Sequence, residues 1–277
     1  MTDQGDIRAA MVSALEWQIE LGVDEAICEA PINRFEEPAK ANAPAETEQR
    51  AATRAPSLPV REGTGVGEVR NLREPEAPDT AALAASANTL AELAQVMEAW
   101  DGTPLKAAAR RFVFCDGLAG ADLMIVGEAP GQEEDRQGKP FVGRAGQLLD
   151  RMLAAIGRSR TETDPAKAVY ITNMLPWRPV GNRTPTPEES ALFLPFVLRH
   201  IALAKPKLLL SMGNTPTKAL LDTTTGIKRM RGAWVDHEAT GLRLLPTFHP
   251  AYLLRQPADK KLAWQDLLSL KAALESA

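Results

Sequence analysis

Cysteine is scarce in this chain of 277 residues: Cys28 and Cys115 are the only two, far apart and without CxxC spacing. That excludes a disulfide framework and a four-thiolate metal site. Long apolar runs are also missing. Stretches such as ALFLPFVL (191–198) fall far short of the roughly 20 residues that span a bilayer, and the opening MTDQGDIRAA lacks a basic segment followed by an apolar one. The expectation is a cytoplasmic protein without membrane contact. Neither GxGxxG nor GxxxxGK[ST] follows a strand-like run, which argues against an ordinary nucleotide-binding α/β protein.

Charge is unevenly spread. Residues 1–86 hold 16 acidic and 8 basic side chains, whereas residues 87–277 hold 20 acidic and 24 basic, so the second part is positive within a chain of net charge −4. A positive part permits a nucleic-acid partner without requiring one.

Three regions follow from the patterning. Within residues 1–30, Ile7, Met11, Leu15 and Ile19 recur at helical spacing, which predicts an amphipathic helix over 6–26 that either covers the main domain or binds a protein partner. Residues 31–86 are rich in Pro, Ala and Glu, with few large apolar residues to offset the entropy of ordering, and read as a linker. Residues 87–277 alternate strand-like and helix-like segments. NTLAELAQVMEAW, with Asn88 as its cap, GQLLDRMLAAIG, ended by Gly157, PEESALFLPFVLRHIALA, TPTKALLD and DKKLAWQDLLSLKAALES read as helices. ADLMIVG, AVYITNML, PKLLLSMG and LRLLPTFHP read as strands. The predicted class is α/β: a three-layer α/β/α domain with a central, mainly parallel four-stranded sheet.

Ligands of such sheets bind at the carboxyl ends of the strands. There stand Glu128 after the first strand, Asn173 at the end of the second, Gly213 and Asn214 after the third and His249 after the fourth. Singly each has a bland reading. His249 is equally a structural histidine, Asn173 a strand cap, and Phe141 of KPFVG a core residue. Together they supply an imidazole, an amide that both donates and accepts, a flat ring and a carboxylate, a set suited to a planar heterocycle such as a nucleobase. An acidic glycine-rich turn, GEAPGQEEDRQGKPFVGRAGQLLD (127–150), suits a sugar carbon or a water better than a phosphate.

That turn, together with YITNMLPWRPVGNRTPTPEE, KLLLSMG, RMRGAW and PTFHPAYLLR, resembles in order and spacing the iron-sulfur uracil-DNA glycosylases called family 4, over roughly residues 87–275. The resemblance implies hydrolysis of the N-glycosidic bond of a uracil flipped out of single- or double-stranded DNA, leaving an abasic site, by a monomer. It implies that Gly127, Ala129, Phe141 and Asn173 bind uracil, with Phe141 stacking on the base and Asn173 reading its amide edge. His249 would bond the uracil oxygen as charge builds there. Glu128 would orient or deprotonate the attacking water, supported by Glu134 and Asn182. Leu253 or Leu254 would wedge into the vacated stack while Arg229, Arg231 and Arg255 hold phosphates, with a solvated face as the alternative reading of those arginines. The family also carries a 4Fe–4S cluster on four cysteines. Here Trp177 and Phe193 stand at two of those positions, and Trp100 and Thr103 at the other two, so the expectation is no cluster, no metal and no other cofactor. Two alternatives remain: a glycosylase for another deaminated base, and a binder of uracil or abasic DNA without turnover. A relative that traps uracil-DNA through a histidine in a basic insertion is discounted, since MLPWRPVGNRTPTPEE has neither.

Overall fold

The computed structural model describes residues 80–276; the helix expected over 6–26 and the linker up to residue 79 lie outside the described residues. The strands are β1 (Asp116–Gly117), β2 (Leu123–Gly127), β3 (Val169–Asn173), β4 (Leu208–Met212), β5 (Val235–His237) and β6 (Leu242–Thr247). The helices are α1 (Thr80–Ser86), α2 (Leu90–Ala99), α3 (Leu105–Ala108), α4 (Gln132–Gln137), α5 (Arg144–Ala154), α6 (Pro187–Ala204), α7 (Asn214–Leu220), α8 (Ile227–Met230), α9 (Pro250–Arg255) and α10 (Lys260–Glu275).

The sheet has six strands, in the order β1-β3-β2-β4-β6-β5, and not the expected four. The four central strands are the expected ones and run parallel. The two additions are antiparallel edges of two and three residues, too short to show an alternating pattern in the sequence.

All five residues of β2, β3 and β4 are buried, because helices cover both faces. On one face Met124, Val126, Tyr170 and Leu209 meet Leu93, Met97, Phe193, Phe196 and Ile201 from α2 and α6. On the other, Leu123, Ile125, Ile171, Leu210 and Leu245 meet Leu149 and Leu153 of α5 and Leu267, Leu270 and Leu274 of α10.

Local chemistry sets the helix ends. Thr186 accepts from the Glu189 backbone N–H while Glu189 accepts from that of Thr186, and Pro187 opens α6. The cap of α2 is Thr89, one residue later than expected, because its hydroxyl accepts from the Glu92 N–H and Glu92 reaches back to the Asn88 N–H. Helix α5 ends at Ala154, and Gly157 takes a left-handed conformation three residues beyond. Residues 80–86, assigned to the linker by composition, form α1; its alanines suit a helix, and Ala84 is buried in the core.

Candidate active site

The chain leaves β2 for β3 on one side and returns to β4 on the other, so the strand order reverses between β2 and β4. At such a switch point the loops diverge and leave a crevice. Here it is a cavity of about 540 Å³, within the range of about 300–1,000 Å³ usual for small-molecule sites. Glu128, Ala129, Glu134, Phe141, Asn173, Asn182, His249 and Arg255, all named from the sequence, line it together.

Gly127 works from beneath. A Cβ there would stand 2.4 Å from Asn173 Oδ1 and 2.5 Å from the Phe141 ring. Only a residue without a side chain lets the amide and the ring converge on the end of β2. The Asn173 side chain itself is engaged by no other described residue, which leaves its donor and acceptor for a ligand.

Phe141 sits at φ 53, a conformation that few non-glycine residues hold without outside support, and its side chain is buried. Glu134 supplies part of that support: one carboxylate oxygen accepts from the Val142 and Gly143 backbone N–H groups, both at 2.9 Å, and the other from that of Gly131. Both oxygens of Glu134 are therefore occupied in shaping the loop, so it supports the site through Phe141, and Asn182 bonds elsewhere, accepting from Arg178 Nε at 2.7 Å. Asp135 holds the Arg110 and Arg111 N–H groups, and Glu133 pairs with Arg136. Glu128 and Glu134 are the acidic residues of that turn that line the cavity, and Glu128 is the one whose carboxylate is not taken up by the backbone of the loop.

Glu128 is half-buried, and its Oε2 accepts from Thr215 Oγ1 at 2.9 Å. Burial raises its pKa, while the Thr215 hydroxyl and the Arg255 charge lower it. Thr215, near the start of α7, escaped the sequence reading; its place directly after the KLLLSMGN strand end was the available signal.

His249 caps α9, accepting from the Ala251 N–H at its Nδ1, 3.1 Å away. An accepting Nδ1 carries no proton, so in the neutral ring the proton is on Nε2. Burial, aided by the Arg255 charge, pushes the His249 pKa down to about 4 and keeps the ring neutral. Its plane lies 29° from that of Phe141, with centroids 5.4 Å apart.

The nucleic-acid contacts divide. Arg255 is exposed at the cavity mouth and Leu254 is half-buried beside it. Leu253 is not a wedge: it is 1% exposed and packs with Leu148, Ile227 and Phe248, because the one-turn helix α9 turns it inward. Arg231 is not a free phosphate ligand either. Its guanidinium is spent on buried Asp266, to which it is bonded through two nitrogens, and on the Leu262 carbonyl. Arg229 is exposed in a neighbouring hollow of about 520 Å³ shared with Lys228 and Tyr252. The Lys228 ammonium lies 5.9 Å from the Tyr252 ring centre, an arrangement with no signal in the sequence.

Trp100, Trp177 and Phe193, three of the four residues that stand where the resemblance places cluster cysteines, come together in a ring cluster. Trp100 meets Phe193 edge-on at 5.6 Å, Phe193 meets Trp177 at 5.9 Å, and Phe112 and Phe196 close the group. The Thr103 hydroxyl accepts from the Leu105 N–H. This donor set does not fit an iron-sulfur cluster, which needs thiolates. Among the described residues no group of three or more His, Cys, Asp or Glu side chains is arranged to hold a metal ion, and no helix is long and apolar enough to cross a membrane.

Residues 115–268 match the model of the uracil DNA glycosylase superfamily, and the chain belongs to that superfamily. Its relatives include the type-4 uracil-DNA glycosylases of Thermotoga maritima, 36% identical over 175 residues covering 62% of this chain and 88% of the relative, and of Saccharolobus solfataricus, 36% identical over 168 residues covering 58% and 75%. That of Pyrobaculum aerophilum is 35% identical over 175 residues, covering 61% and 86%.

Proposed function

We propose that this chain is a uracil-DNA glycosylase that takes uracil out of the DNA stack and hydrolyses its glycosidic bond, leaving free uracil and an abasic site. The observation that carries the reading is the convergence of Glu128, Phe141, Asn173 and the Nε2–H of His249 on one cavity. Phe141 stacks on the extruded base, and the unengaged Asn173 amide pairs with its edge.

The C1′–N1 bond then breaks with its electron pair passing into the uracil ring. The neutral His249 Nε2–H donates to the oxygen on which the negative charge grows, an interaction stronger in the transition state than before it. Glu128 stabilises the positive sugar and takes the proton of the water that adds to C1′. Arg255 and Arg229 hold the phosphates of the strand, and Leu254 fills the gap left by the base. The chain acts as a monomer on DNA. Ring packing of Trp100, Trp177 and Phe193 replaces the cluster, and the reaction needs no cofactor.

Incubation of the protein with an excess of oligonucleotide carrying one U, or one C at the same place, tests this. Many equivalents of uracil per protein and no cytosine are expected. Tight binding with no base released would make the protein a binder, and release of a different deaminated base in preference to uracil would reassign the substrate.

A further inference from the structure

We infer that Arg160, remote from the reacting atoms, is a positioning residue that holds Phe141 in its left-handed conformation and so sets the plane against which the base stacks. The inference rests on the reading of the cavity as a uracil site.

Arg160 follows α5 and is not among the residues that line the cavity. Its guanidinium is spent on that loop: one terminal nitrogen donates to the Pro140 carbonyl at 3.0 Å and the other to the Phe141 carbonyl at 2.9 Å. Two carboxylates fix the guanidinium in turn, Asp116 of edge strand β1 at 3.1 Å and Asp150 of α5, which accepts from Nε at 2.8 Å. Its side chain is 12% exposed. A planar fork held from both sides reaches adjacent carbonyls in a fixed geometry, which a lysine ammonium does not reproduce.

The loop needs such a clamp. Phe141 stands at φ 53, which costs about 1–3 kcal/mol for a residue other than glycine and persists only where its surroundings over-determine it. The peptide between Phe141 and Val142 is gripped at both ends: its carbonyl accepts from Arg160, and its N–H donates to Glu134. Gly146 makes room, since a Cβ there would stand 1.8 Å from the Phe141 carbonyl oxygen. Release of the Arg160 end frees that peptide to rotate, and rotation swings the ring away from Asn173 and His249. Arg160 thus acts on the base through Phe141, without touching it.

The test is a double-mutant cycle on uracil release with the full chain, comparing wild type, Arg160→Met, Phe141→Ala and the double variant. Arg160→Met is expected to lower kcat/KM by about 100-fold, the scale of a misplacement near 1 Å. In the Phe141→Ala background the same change is expected to cost less than about 3-fold, since there is no ring left to position. A merely structural role predicts the same factor in both backgrounds, tracking the shift in denaturant midpoint, and that result overturns the inference. Arg160→Lys, which keeps the charge and loses the fork, gives the same comparison should the Met variant fail to fold. Wild type that releases no uracil removes the function on which the inference rests; active wild type with equal factors removes the Arg160 role alone.

Discussion

Glu128 and Thr215 are joined by a 2.9 Å hydrogen bond that crosses the switch point of the sheet, from the loop after β2 to the first turn of α7 after β4. The bond engages one oxygen of a carboxylate that lines the cavity.

That bond favours the ionised form, against the burial that disfavours it. A base must be deprotonated to act, so with Glu128 as the proposed base the rate is expected to rise with pH through its raised pKa. Thr215→Val removes an opposing influence and moves this acidic limb to higher pH, with the plateau at high pH largely retained. A pH–rate profile of both proteins checks this; coincident limbs contradict it.

His249 is neutral through the whole working range, its pKa held down to about 4. No inflection of its own is therefore expected near neutral pH. His249→Ala removes the Nε2–H donor and lowers kcat by about 100- to 1,000-fold, the usual effect of losing one such donor, with affinity for the uracil-containing strand little changed. Single-turnover rates beside equilibrium binding separate the two effects, and a loss confined to binding contradicts the assignment.

Gly127→Ala introduces a methyl group where 2.4 Å separates it from Asn173 and 2.5 Å from Phe141. Ring and amide must part, so a loss of uracil release of about 100-fold is expected, larger than any loss of DNA binding. Activity close to wild type would show that the two side chains need not converge.

The two arginines of RMRGAW separate by assay. Arg231→Met leaves Asp266, 1% exposed at its side chain, without its charge partner, and costs about 3–5 kcal/mol of stability. Arg229→Ala leaves stability unchanged, weakens DNA binding similarly for all sequences, and lowers the salt slope by about one. Denaturant unfolding and binding at several salt concentrations read both outcomes; a reversed pattern would restore Arg231 to the DNA and remove Arg229 from it.

The central strands and long helices were legible because their signals are repeated: five buried residues in a row in β2, β3 and β4, or eighteen residues with a capping box in α6. Edge strands β1 and β5 were not, since two or three residues carry no period. The rim residues were legible from their position after strands. The inward turn of Leu253 was hidden, because HPAYLLR does not declare which of its two leucines is fully buried and which only partly so. The fate of Arg231 was hidden as well, set by an aspartate 35 residues away. Thr215 and Arg160 also act through partners distant in sequence, 87 residues for Glu128 and 19 for Phe141, which no local pattern reports.

The most direct test of the account is the release of free uracil over many turnovers from an oligonucleotide bearing one U, by wild type and by Glu128→Gln at a pH above the acidic limb. Sustained turnover by wild type and a fall of orders of magnitude in the Gln variant, with DNA still bound, are expected. Equal turnover by both proteins would contradict the assignment of Glu128 as the base, and binding without release by wild type would contradict the account as a whole.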